Sequence, residues 1–81
     1  MKEVILTGTL ITHKAIVIYP NEKVPNGYVP IAGAFTDEGD VLVALPEEKL
    51  ENQKLVYRLI EQAESCLIRA YPTGQHTWGG L

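Results

Sequence analysis

The sequence predicts an α+β fold, an antiparallel sheet of four or five strands with one helix packed on one face, in the order β-β-β-β-α-β. Three observations carry that expectation. Short apolar blocks, alternating or β-branched, fill the first half of the chain, and turn residues punctuate them. After Pro46 the apolar spacing switches to a period near 3.6.

The first block sets Val4, Leu6 and Leu10 against Thr7 and Thr9, the period-two pattern of a half-buried strand. The second, Ala15 to Tyr19, is apolar at successive positions, as in an interior strand or one covered by a partner. Between them, Thr12-His13-Lys14 holds no Gly, Pro or Asn, so the blocks read either as a tight hairpin or as one long bent strand. Pro20 to Pro30, with Asn21, Pro25, Asn26 and Gly27, is the longest loop signal, and Asn26-Gly27 suits a turn needing positive φ. A hairpin follows, with Ile31 to Thr36 and Val41 to Leu45 flanking Asp37-Glu38-Gly39-Asp40, where Gly39 takes the left-handed position. Gly33, inside the first of these strands, marks a bulge or a close approach.

Leu45-Pro46-Glu47-Glu48 reads as a helix start: proline's missing donor costs nothing in a first turn, and the glutamates complement the dipole. Val56, Leu59, Ile60 and Ala63 fall at i, i+3, i+4 and i+7 and define its apolar face. Asn52 suits a cap for a restart, which makes Glu47 to Glu51 a separate first turn. Near Ser65 the pattern changes to an apolar run, Cys66 to Tyr71, read as a last strand; Pro72 to Gln75 is a turn, and His76 to Leu81 a tail.

At 81 residues the chain fits one domain, residues 1–81. A domain this small is marginally stable without a disulfide, a structural metal or a partner. A single cysteine, Cys66, excludes an internal disulfide, and with two histidines it falls short of a four-ligand zinc set. Hydrophobic residues nevertheless make up 46% of the chain, too many for a disordered one. A homo-oligomer that completes its core across an interface is therefore expected. No cofactor and no metal are expected.

The lone cysteine is compatible with a reducing compartment. No signal pattern opens the chain, and Val4 to Ile11 is too short to span a bilayer, so a cytoplasmic protein with no membrane partner is expected. The net charge is −3 and the basic residues are scattered, which argues against duplex nucleic acid as a partner.

The C-terminal segment holds the richest candidate chemistry. Gln75, His76 and the chain's one tryptophan, Trp78, lie on a glycine-flanked stretch with no periodic reason to be buried. They form a binding edge, or Trp78 folds back to fill the core of its own or a neighbouring subunit. Tyr28, Tyr71 and Arg69 join them as candidate binding residues, the tyrosines as stacking platforms and Arg69, with Lys14, as a cation for a phosphate in an oligomer cleft. The Gly79-Gly80 pair is shared with ubiquitin-like sulfur carriers, but Leu81 follows it and the helix comes late in the chain, so the likeness stops at two residues.

No catalytic residue is assigned. Cys66 with His76, oriented by Asp37 or Asp40, is the nearest approach to a nucleophile and base, but Cys66 reads as a small buried hydrophobe. His13 reads as a surface or hydrogen-bonded histidine, and Asp37, Glu38 and Asp40 as solvation of a hairpin tip. The leading expectation is a non-catalytic binding module: an adaptor, inhibitor or assembly subunit, acting as a homo-oligomer through its loop and tail on a protein partner. The alternatives are a small-molecule or nucleotide sponge or sensor with its ligand at a subunit interface, and a small enzyme using His76 or His13.

Overall fold

The structure is a computed structural model that describes residues 1–8 and 10–72. It is α+β, as expected. Four strands, β1 (Lys2–Thr7), β2 (Thr12–Ile18), β3 (Tyr28–Thr36) and β4 (Gly39–Pro46), precede a 3₁₀ turn (Glu47–Glu51) and one helix, α1 (Gln53–Ala70). The strands form one antiparallel sheet in the order β1-β2-β4-β3.

The ambiguity at Thr12-His13-Lys14 resolves to a hairpin. The turn is made earlier, where the Gly8 N–H donates to the Ile11 carbonyl at 2.9 Å. Thr7 then pairs with Thr12 and Leu6 with His13, so β1 stops short of Leu10, which is 94% exposed. A Cβ on Gly8 would lie 2.8 Å from the Leu55 side chain, so the glycine lets this turn approach the first turn of α1.

β2 and β3 both run antiparallel to β4 and are therefore parallel to each other, with β4 between them. Their nine-residue connection, Tyr19 to Gly27, has to travel back along the whole sheet. Its first residues stay near the end of β2: Glu22 N–H donates to the Tyr19 carbonyl, and Pro20 packs against Gly39. The six steps from Glu22 to Tyr28 reach at most about 22 Å, and β4 from Asp40 to Pro46 is about 20 Å long. The connection therefore has little chain to spare and holds no helix. It ends in a turn closed by Tyr28 N–H on the Pro25 carbonyl, with Gly27 at φ 85. Pro30, expected in the loop, belongs to β3, at a bulge between Pro30 and Ala32. Gly33, read as a bulge or a close approach, pairs regularly with Leu42, and the bulge falls two residues earlier, at Ile31.

Register assigns the two faces. Lys2, Val17, Val43 and Ala32 form one cross-sheet row, and Glu3, Ile16, Ala44 and Pro30 the next, pointing the other way. α1 lies on the first side, touching the two outer strands β1 and β3, so it crosses the sheet diagonally. The core between them consists of Leu6, Ala15, Ile31, Ala32, Ala34, Val41, Val43, Leu45, Leu59, Ala63 and Leu67. The four alanines let the helix approach the strands, and each fully buried leucine contributes roughly 1.5–3 kcal/mol. On the opposite side Ile18, Gly33 and Ala44 are also buried, while Ile5 on the outer strand is 55% exposed.

The last strand expected at Cys66 to Tyr71 is instead the end of α1. Leu67 continues the series Val56, Leu59, Ala63 at the next i+4 position and is buried with them. Nothing in the stretch breaks a helix until Pro72, which disfavours helical backbone at Tyr71, and the helix stops there at φ −132, ψ 68. The restart at Asn52 is present: its side chain accepts from the Leu55 N–H at 3.2 Å.

Candidate functional site

Register builds an open groove where β3 begins and β4 ends. Tyr28 pairs with Pro46 at the ends of β3 and β4, and Glu47 N–H donates to the Gly27 carbonyl at 2.7 Å. These contacts tie the end of the crossover to the 3₁₀ turn. Between them lies an open groove of about 900 Å³ lined by Gly27, Tyr28, Pro46, Glu47, Glu48, Leu50 and Glu51. Three carboxylates, one phenol ring and a half-buried leucine give it an acidic rim and a small apolar floor. Such a lining attracts cations and repels phosphate.

Of the expected binding residues, Tyr28 alone lies in this groove. Arg69 is exposed on the last turn of α1, and Tyr71 caps it, half-buried against the core, its N–H donating to the Leu67 carbonyl at 2.7 Å. An 18-residue helix is about 27 Å long, so the structure does not bring Arg69 and Tyr71 to Tyr28. Gln75, His76 and Trp78 lie outside the described residues, as does the pairing of Cys66 with His76. Glu47, Glu48 and Glu51 escaped the sequence reading because they were absorbed into a helix start. The strand register that brings Pro46 to Tyr28 was the missing information.

His13, read from sequence as a surface or hydrogen-bonded histidine, is the one buried polar side chain among the described residues, so the surface alternative does not hold. β2 begins at Thr12, so His13 shares the parity of Ala15 and Val17 and faces α1. Its Nδ1 has no hydrogen-bond partner among the described residues, an arrangement that costs about 1–3 kcal/mol. Cys66 is half-buried against the core, as expected of a small hydrophobe, though from the helix. Asp37, Glu38 and Asp40 are exposed at the hairpin tip. No group of three or more His, Cys, Asp or Glu suited to a metal occurs among the described residues.

Electrostatics single out Glu22, outside the groove. Its carboxyl is held below the ordinary carboxylate range, first by a hydrogen bond from the N-terminal ammonium of Met1 and then by the Tyr19 N–H, which donates to Oε1 at 2.8 Å. The first contact ties the crossover's first turn to the residue before β1, and the second closes that turn on itself. Among the described residues no helix is long and apolar enough to cross a membrane. No family model, curated protein or solved structure matches the chain.

Proposed function

We propose that this chain is a non-catalytic binding module that works as a homo-oligomer, contacting its partner through the Pro20–Pro30 segment and the C-terminal tail. The observation behind this reading is the amount of apolar surface left open on so small a fold: Ile5, Leu10, Ile11, Tyr57 and Ile68 are all more than half exposed. Exposed aliphatic and aromatic side chains are what an adaptor or assembly subunit presents. Removing residues 75–81 should abolish capture of the partner by tagged protein while leaving the melting temperature within about 2 °C. An equal loss of folding would assign the tail to core packing instead.

The second reading, a small-molecule binder, is supported by the groove at Tyr28. Its three glutamates select against the nucleotides considered from sequence and for a cationic ligand, with the phenol ring as a cation–π platform. In a thermal-shift series, polyamines and other organic cations should raise the melting temperature and nucleotides should not. Stabilisation by nucleotides alone would remove the groove from consideration.

A further inference from the structure

We propose that the homo-oligomer is a two-fold dimer made by antiparallel pairing of β1 with β1 of a second copy, giving one eight-stranded sheet. The inference rests on the oligomeric part of the function proposed above and adds the surface, the register and the residues that set it. The sheet has two outer strands, and they differ. β3 is blunted by Pro30, which lacks an N–H, and by the bulge between Pro30 and Ala32. β1 has neither device: its sequence is Lys-Glu-Val-Ile-Leu-Thr, and no described residue pairs with its outer edge. The β1–β2 hairpin also carries half of the large exposed apolar side chains, namely Met1, Ile5, Leu10 and Ile11.

Charge selects the register. In an antiparallel pair about an axis normal to the sheet, side chains meet those of the same face, so only residues of equal parity oppose each other. Centring the axis on Glu3 stacks two carboxylates and is disfavoured. Centring it on Val4 sets Glu3 of each copy opposite Ile5 of the other. Ile5 already neighbours Lys14 on β2. The row across the joined sheet then reads Lys14, Ile5, and the second copy's Glu3. Lys14 and that Glu3 are two strands apart, roughly 10 Å, within the combined reach of their side chains over Ile5. Symmetry makes the contact twice, covers both Ile5 side chains, and lays each Lys2 stem along the other copy's Leu6. Because the interface uses like edges and the β3 edges are blunted, assembly closes at two copies.

Sedimentation equilibrium of the full chain over roughly 1–100 µM tests this. The wild type should be a dimer. Ile5→Glu, at a position exposed in the single chain, sets a carboxylate against Glu3 of the other copy twice over and should be a monomer with an unchanged far-UV spectrum. Glu3→Lys and Lys14→Glu should each raise the dimer dissociation constant by about tenfold, since each replaces two attractions by two repulsions. Mixing these two variants should restore a heterodimer, because each then supplies the charge the other lacks. A monomeric wild type would overturn both the pairing and the oligomeric half of the proposed function. A dimer indifferent to Ile5→Glu, or variants that fail to rescue each other, would overturn the pairing alone and leave the oligomer standing.

Discussion

Gly39 and Glu22 hold the crossover at its start by different means. Gly39 has φ 125, where any L side chain is strained, and a Cβ there would sit 3.0 Å from Cβ of Pro20. The glycine thus serves both the hairpin and the packing of the next segment, which explains why it closes the acidic tip. Glu22 acts through charge. Its folded-state carboxyl lies below the ordinary carboxylate value, so folding favours the ionised form. That contribution is complete above the unfolded-state pKa and is lost as pH falls through the lower folded value. Glu22→Gln should therefore be less stable than wild type at about pH 7, and the two should converge in urea titrations as the pH falls through the lowered folded-state value. A gap that stays constant across that range would show that the carboxylate charge is not what matters. His13 and Tyr28 mark the limits of residue-level reading. Type and neighbours place both next to strands, but whether His13 is buried depends on where β2 begins, and what Tyr28 faces depends on the β3–β4 pairing.

Elements with their own punctuation were legible in the sequence. Asn26-Gly27, Asp37 to Gly39 and Asn52 each mark a boundary with local chemistry, and each boundary is found. The end of α1 was misread because Cys66-Leu67-Ile68 is an apolar run, and a run of that length fits either a buried strand or a helix. Burial in α1 separates the two. Leu67 is 3% exposed and Ile68 is 52% exposed. Leu67→Ala should cost about 2–4 kcal/mol and Ile68→Ala less than about 0.5 kcal/mol in chemical denaturation. Comparable losses at the two positions would contradict a helix with this face inward. The 3₁₀ turn ahead of α1 is also consequential, since it carries Glu47, Glu48 and Glu51 to the end of β3 and makes the groove acidic.

At the scale of the molecule, the strand order places β4 between β2 and β3 and leaves β1 outside. The Tyr19–Gly27 crossover carries the chain from β2 past β4 to β3 without forming a helix. One side of the sheet is covered by α1, and among the described residues Met1, Ile5, Leu10 and Ile11 leave open apolar surface at the β1–β2 hairpin. Small domains bury too little surface to spare much of it. Pairing through β1 supplies the missing cover. It also predicts that the wild-type melting temperature rises with protein concentration and that Ile5→Glu removes the dependence, as mass action requires of a dimer.

Local chemistry was enough to specify the α+β class, the β3–β4 hairpin, the two glycine turns and the capped restart of the helix, because caps, turns and periodicity act within a few residues of one another. Strand order, the burial of His13, the run of α1 to Ala70 and the acidic groove beside Tyr28 came from packing. Each depends on which distant segments meet across the sheet, and a chain's pattern fixes which side of a strand is apolar without saying which strand lies next to it.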